Sequence, residues 1–158
     1  MRSGVALLLS MCVTAATVSA SVGRPPDVAS RAKSASKIVV ATVTDVEPGR
    51  FDVSQYGDRV IVTRAWLRVD EMLKGNHEPL IALDIEGGSV GDLTLRVSDM
   101  PTLKKGERGV FFLDNPRRDA HEPNGRGAGI LKLDLAGRVL NSNLTLADVK
   151  ANVRAALQ

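Results

Sequence analysis

The stretch that decides the fold is RVIVTRAWLRVDEM, residues 59–72. Apolar or small side chains occupy every second position at Ile61, Thr63, Ala65, Leu67 and Val69. They alternate with a second set made up of Arg64, Trp66, Arg68 and Asp70. A period of two predicts a β-strand with one face in a core and the other in solvent. Most strands have about 3 to 10 residues, so this longer stretch is expected to bend or bulge, as strands of small barrels do.

Shorter strands are predicted on both sides of this one. The run IVVATVTDV at 38–46 is β-branched at nearly every position, which favours a strand buried on both faces, followed by a turn at 47–50. Alternating or apolar runs predict further strands at 81–86, 93–98, 110–113 and 131–135, with another at 138–140. Residues 114–129 carry turn formers and almost no apolar side chain, so we expect a surface loop there.

One helix is predicted at each end of this array. Asp27 can cap a short helix within residues 21–36, and Thr145 with Asp148 three residues later can cap an amphipathic C-terminal helix. Strands joined by short polar turns, without a strand-helix-strand rhythm, favour an antiparallel sheet. The predicted fold class is therefore all-β: a small closed antiparallel β-barrel of the OB-fold or netrin-module type over residues 37–158, forming one domain.

The first twenty residues have the composition of a signal peptide. Arg2 precedes an apolar stretch too short to span a bilayer, and Val18-Ser19-Ala20 offers the small residues that signal peptidase requires. We expect cleavage after Ala20 and a secreted or periplasmic protein without a membrane span. Cys12 is the alternative, as a lipid anchor, but the bulky Met11 before it argues against lipidation.

The composition disfavours several classes of function. Only 3% of the residues are aromatic, too few for the stacking platforms that hold single-stranded nucleic acid. The 21 basic and 18 acidic residues are intermixed, so no basic patch is indicated and no specific nucleic-acid partner is expected. The one cysteine lies in the predicted signal peptide and permits neither an internal disulfide nor a thiolate metal cage.

No catalytic, cofactor or metal site is predicted. The tripeptide His-Glu-Pro occurs at 77–79 and at 121–123, and two such pairs brought together could bind zinc. Nothing in the sequence brings them together, so His77 and His121 are interpreted as solvated turns. Asp84 and Glu86 share one strand face, where a solvated surface is favoured over a cation site or an acid-base pair.

The candidate binding residues are Arg64, Trp66, Arg68, Arg117 and Arg118. The first three stand on the polar face of the long strand, and a partly exposed tryptophan between arginines has the composition of a binding hot spot. The alternative is that the C-terminal helix covers Trp66. Arg117 and Arg118 lie in the loop at 114–129 and offer an anion site, but the nearby Asp114, Asp119 and Glu122 weaken the positive field.

The order of motifs also resembles known families. Leu73-Lys74-Gly75 follows the long strand, then come Gly87-Gly88, the strand Leu95 to Val97, and Gly106-Glu107-Arg108 before Phe111-Phe112-Leu113. This order is similar to an uncharacterised group of exported bacterial proteins and, less closely, to the netrin-type module of tissue inhibitors of metalloproteinases. The second resemblance implies an OB-type barrel. The inhibitory cysteine of that module has no counterpart, because the mature chain would begin at Ser21.

These observations predict a secreted or periplasmic, non-enzymatic binding module of the protease-inhibitor or envelope-accessory kind, with a protein or envelope component as partner. The alternative is a polyanion or nucleic-acid binder that uses the barrel groove. A metal-assisted hydrolase acting through His77 and His121 ranks third.

Overall fold

A computed structural model of the protein describes residues 27–54, 56–115 and 119–158. The predicted signal peptide, its cleavage site, Cys12 and the start of the 21–36 linker lie outside the described residues, as do Arg117 and Arg118. The described chain contains two α-helices, α1 (Val28–Ser34) and α2 (Leu146–Leu157). Its eight strands are β1 (Lys37–Val46), β2 (Arg50–Val53), β3 (Arg59–Lys74), β4 (Leu80–Glu86), β5 (Gly88–Val90), β6 (Leu93–Leu95), β7 (Arg108–Leu113) and β8 (Ile130–Leu133).

Six strands form one antiparallel sheet in the order β2-β3-β1-β7-β8, and β4 also pairs with β3. The long strand predicted from residues 59–72 is confirmed as β3, which pairs with three other strands. Its pairing with β1 shifts register at three places, so the predicted bulging is confirmed as well. Strands β5 and β6 pair only with each other and form a separate hairpin.

Strand β1 is buried on both faces, as its β-branched run predicted. Ile38 and Val40 on one face pack with Phe112 of β7 and with buried residues of both helices. Val39, Ala41 and Val43 on the other face join a second apolar cluster, whose members from β3, β4 and β7 include Leu67, Leu83 and Phe111. The domain therefore has two cores, one on each side of the same strand.

Both predicted helices are confirmed. The Asp27 carboxylate accepts the backbone N–H of Ser30 at the start of α1. At the start of α2 the Thr145 hydroxyl accepts the N–H of Asp148 while the Asp148 carboxylate accepts the N–H of Thr145, which is a capping box. Val149 and Val153 of α2 are buried against the cluster around Ile38.

The predicted surface loop at 114–129 is wrong for its central part. Within it, residues 120–124, called the seam below, form backbone hydrogen bonds with two strands. The His121 N–H donates to the Ala82 carbonyl of β4 at 2.9 Å, and the Asn124 N–H donates to the Phe112 carbonyl of β7 at 2.8 Å. Ala120, His121 and Pro123 are consequently buried. The turn-forming composition gave no sign of this pairing, because the hydrogen-bond partners are backbone groups of strands that are remote in the sequence.

The antiparallel β-rich class is confirmed, while the closed barrel is not. Among the described residues no pairing of named strands closes the sheet, although the seam lies between β4 and β7. The sequence also missed β2, and it extended two strands too far. The strand predicted at 93–98 ends at Leu95, and Leu135 is fully exposed in a turn after β8. Residues 138–140 form only isolated bridges.

In the part of the chain that the structure describes, neither helix is long and apolar enough to cross a membrane.

Candidate functional site

A groove of about 390 Å³ opens where β2, β3, β4 and the seam come together. We call it the charged groove, because ionisable side chains from each of these elements line it. They include Arg50 of β2, Arg64 of β3, Asp84 and Glu86 of β4, and Asp119 just before the seam. The position follows from the sheet register, which places Arg64 directly opposite Asp84.

Arg64 organises the floor of the charged groove. Its side chain is only 13% exposed and is held between two carboxylates. Its Nε donates to Asp84 at 2.8 Å, and its Nη1 donates to Asp119 at 2.8 Å. The hydrogen bonds to Asp84 and then Asp119 raise the pKa of Arg64 above its usual value. The hydrogen bond from Arg64 likewise lowers the pKa of Asp119. The Arg64 guanidinium therefore uses its hydrogen-bond donors on carboxylates of the same chain.

Arg50 adds a second cation to the same carboxylate. Its Nη2 lies 2.5 Å from Asp84 Oδ2. The other terminal nitrogen, Nη1, is buried and has no hydrogen-bond partner among the described residues. The described chain therefore leaves one hydrogen-bond donor at the floor of the groove without an acceptor. A buried donor of this kind costs about 1–3 kcal/mol.

Arg126 also lines the charged groove and pairs with two carboxylates. Its Nε donates to Asp99 at 2.5 Å and its Nη1 donates to Glu86 at 3.1 Å. The hydrogen bond from Arg126 lowers the pKa of Asp99, and the same contact raises the pKa of Arg126. The solvated face predicted for Asp84 and Glu86 is wrong for Asp84, whose side chain is largely buried between Arg50 and Arg64, whereas Glu86 remains partly exposed in its pair with Arg126.

The three candidate residues on β3 have different partners. Of the three, only Arg64 lines the charged groove. The half-buried Trp66 donates its indole Nε1–H to Glu47 at 2.7 Å, and Arg68 is 62% exposed with its Nη2 3.4 Å from Asp70. The alternative in which the C-terminal helix covers Trp66 is not seen, since the apolar cluster that α2 joins does not include this residue. Arg117 and Arg118 lie outside the described residues.

His121 is not a solvated turn, so this prediction is wrong. Only 6% of the residue is exposed, and its Nδ1 lies 2.6 Å from the Asp114 carbonyl. A carbonyl only accepts, so Nδ1 carries the hydrogen and Nε2 faces a polar cavity of about 440 Å³, 3.9 Å from Glu78 Oε2. Lys37 forms an ion pair with the same carboxylate.

The two His-Glu-Pro segments approach each other at one pair of residues. Glu78 of the first lies near His121 of the second, while His77 is exposed and Glu122 lines the charged groove. Among the described residues, no group of three or more His, Cys, Asp or Glu side chains is arranged to hold a metal ion. The structure therefore does not assemble the four-ligand set from the two segments.

Exposed apolar side chains stand along one margin of the charged groove. Val53 is 48% exposed and Tyr56 is 82% exposed, and both line the groove. The neighbouring Phe51 is also exposed and has the Arg59 guanidinium 3.7 Å from its ring centre. Sequence reasoning missed this margin because it ended the first strand in a turn at 47–50. The signal was present, since Phe51 and Val53 alternate with Arg50 and Asp52 at the period of a strand.

Comparison with known proteins adds no relative to this picture. No protein-family model matches the chain, and no curated protein matches it. The two family resemblances described above therefore stay predictions.

Proposed function

We propose that the protein is a secreted or periplasmic, non-enzymatic binding module that recognises a protein ligand at the charged groove. The observation that carries the proposal is the pairing of a preformed groove with the exposed Val53 and Tyr56 at its margin. Aromatic side chains beside arginines are typical of the residues that dominate the free energy of protein–protein binding. A ligand that covers this margin removes apolar surface from water.

The internal salt bridges support recognition by shape and apolar contact. Arg64 and Arg126 each contact two carboxylates, and Arg50 contacts Asp84, so these three cations present little unpaired charge to a polyanion. The alternative of a polyanion binder is correspondingly less favoured. It predicts salt-sensitive retention on heparin, and elution below about 0.1 M salt, where weak contacts are already screened, removes it.

We also propose how the sheet and the seam together shape the charged groove. The seam provides backbone hydrogen bonds to β4 and β7, and we propose that it completes a barrel-like module of the OB or netrin type. In such a module the seam and the β2–β3 hairpin form the two walls of the charged groove, which fixes its width before a ligand binds.

The test compares capture by three versions of the mature protein, with periplasmic extract and culture fluid of its own cells as the source. Tyr56→Ala removes the more exposed of the two margin side chains, Val53 and Tyr56. Leu135→Ala is the matched control, because Leu135 is also exposed and apolar but lies in the turn after β8. We expect a protein that binds the wild type and the control but binds Tyr56→Ala more than tenfold more weakly, a loss of about 1.4 kcal/mol.

Two results would contradict the proposal. The first is that the wild type retains no protein from either source. The second is that Tyr56→Ala and Leu135→Ala bind the captured protein equally well, which would place its contact surface elsewhere.

A further inference from the structure

A second cavity lies under the β5–β6 hairpin and borders the charged groove, with which it shares the lining residues Glu86 and Met100. Its volume of about 660 Å³ is within the range of about 300–1,000 Å³ seen for small-molecule sites. Most of its lining is apolar and continues into the core: Ala65 of β3, Ile85 of β4 and Leu103 belong to the buried cluster around Leu67. We call it the hairpin cavity.

The hairpin is fixed close to the sheet at its base. A Cβ atom on Gly88 would lie 2.2 Å from Thr63 Oγ1, and one on Gly49 would lie 2.5 Å from the Ser89 carbonyl. Gly88 also has a φ of +124°, which disfavours any other residue at this position. Backbone therefore approaches backbone at the base, while the following residues pass over the sheet and leave space below them.

The hairpin cavity opens to solvent, so the apolar side chains that line it are packed less closely than those of a protein interior. Leu95, Val97 and Met100 line it and remain only half-buried, although a closer approach to Ile85 would bury them. An occupant with apolar surface would bury the same side chains without moving the hairpin.

The charge around the hairpin cavity indicates the class of occupant. Glu86 is paired with Arg126, and the hydroxyls of Ser89 and Thr94 bind each other at 2.8 Å. Arg96 is exposed, lines the cavity, and has no ion pair among the described residues. The lining is thus apolar over most of its surface with one unpaired cation at its edge, which suits a hydrocarbon chain carrying an anionic group.

We propose that the hairpin cavity binds a free fatty acid, with the acyl chain against Ala65, Ile85 and Leu103 and the carboxylate at Arg96. The residues varied below, Leu95, Arg96 and Val97, line the hairpin cavity and not the charged groove, so the two proposals can fail separately.

The experiment titrates the mature protein with cis-parinaric acid, a fatty acid that fluoresces in apolar surroundings, and displaces it with hexadecanoate. We expect saturable binding of one molecule per protein. Leu95→Asp places a charge in the cavity and should weaken binding more than tenfold. Leu93→Asp is the matched control, because Leu93 is on the same hairpin, is 60% exposed and does not line the cavity.

A second pair of variants tests the carboxylate. Arg96→Gln should weaken hexadecanoate severalfold and leave displacement by the neutral hexadecanol unchanged, whereas Lys105→Gln, an exposed cation outside the lining, should change neither. Circular dichroism and thermal unfolding establish that each variant is folded. Val97→Ser is a milder replacement for Leu95→Asp and should still weaken binding severalfold.

Four results would overturn the proposal. They are an absence of saturable binding to the wild type, equal losses for Leu95→Asp and Leu93→Asp, unchanged binding by Val97→Ser, and an equal effect of Arg96→Gln on the acid and the alcohol. Co-sedimentation with phosphatidylglycerol vesicles without binding of monomeric hexadecanoate would likewise reject a fatty-acid site in favour of a membrane surface.

Discussion

At the scale of single residues, Arg64 shows how one sheet register creates a charge network. Its position on β3 is opposite Asp84 on β4, and the chain before the seam brings Asp119 to its other side. Removing the guanidinium would leave Asp84, whose side chain is largely buried, beside Arg50 alone. Removing one partner from a largely buried charge network is costly because the remaining carboxylate loses part of its compensation.

We therefore expect Arg64→Met to lower the free energy of unfolding by about 3 kcal/mol. Arg68→Met is the control on the same strand. Arg68 is mostly exposed and only 3.4 Å from its nearest carboxylate, so its loss should cost within about 0.5 kcal/mol. Urea denaturation of the two variants measures the difference, and equal destabilisation would show that the network contributes no more than a surface pair.

The sequence predicted Arg64 as a candidate binding residue but did not predict its ion pairs with Asp84 and Asp119. Period two placed it on the polar face of β3 with Trp66 and Arg68, and the structure confirms that placement. Its partners could not be predicted, since Asp84 faces it only through the register of β3 with β4, and Asp119 lies 55 positions away along the chain. His121 was misjudged for the same reason, because its burial depends on remote strands.

At the scale of elements, the capping box of α2 is a feature that local sequence predicts well. Thr145 and Asp148 are three residues apart, and both hydrogen bonds of the box form. We expect Thr145→Ala to cost about 1 kcal/mol of unfolding free energy, measured by urea denaturation. Asn143→Ala, at an exposed position in the same connection, should cost much less. A similar cost for both would mean that the cap does not stabilise α2.

The seam is the element that local sequence predicts worst, and its order can be measured directly. The His121 N–H donates to Ala82, and the Asp84 N–H donates to His121 in return. We expect both amides to exchange with deuterium as slowly as amides in the centre of β3. Val90, in the short separate hairpin, should exchange faster. Rapid exchange of the His121 amide would contradict the role given to the seam in the charged groove.

At the scale of the whole molecule, the carboxylates determine how stability depends on pH. Hydrogen bonds lower the pKa of Asp119, Asp134 and Asp148. Burial opposes ionisation of Asp70, but hydrogen bonds from Thr42, Arg108 and Arg68 outweigh it, so its pKa is lowered too. Below the ordinary aspartate pKa of about 3.9, the unfolded chain therefore binds more protons than the folded one.

The sign follows from that difference. Stability from these groups is fully present above about pH 4 and is lost as the pH falls through their lowered folded-state pKa values. We expect urea midpoints to be similar at pH 7 and pH 5 and to fall steeply below pH 4. Asp70→Asn should make that fall shallower. A midpoint that rises or stays constant below pH 4 would show that the carboxylates are not stabilised in the folded state.

The whole fold was predictable to the extent that it depends on periodicity. Alternation in β3 and the β-branched run of β1 revealed the two central strands, and both helix caps were visible in the sequence. The contacts of the seam were not predictable, because they are backbone hydrogen bonds between a polar segment and two remote strands. The hairpin cavity was not predictable either, since it arises from the spacing between two layers.

Strand β1 has a consequence for how the chain acquires this structure. Its residues pair on one side with β3 and on the other with β7, where Lys37 meets Leu113. Because β1 is the first strand of the described chain and lies at the centre of the sheet, it pairs only after later segments have been made. Contacts of high sequence separation slow folding. Until β7 pairs with it, β1 has an unpaired strand edge and exposed apolar side chains. Exposed surfaces of this kind make folding intermediates prone to aggregate and are the reason that chaperones are needed. Chaperone assistance should therefore matter most before residues 108–113 have paired with β1.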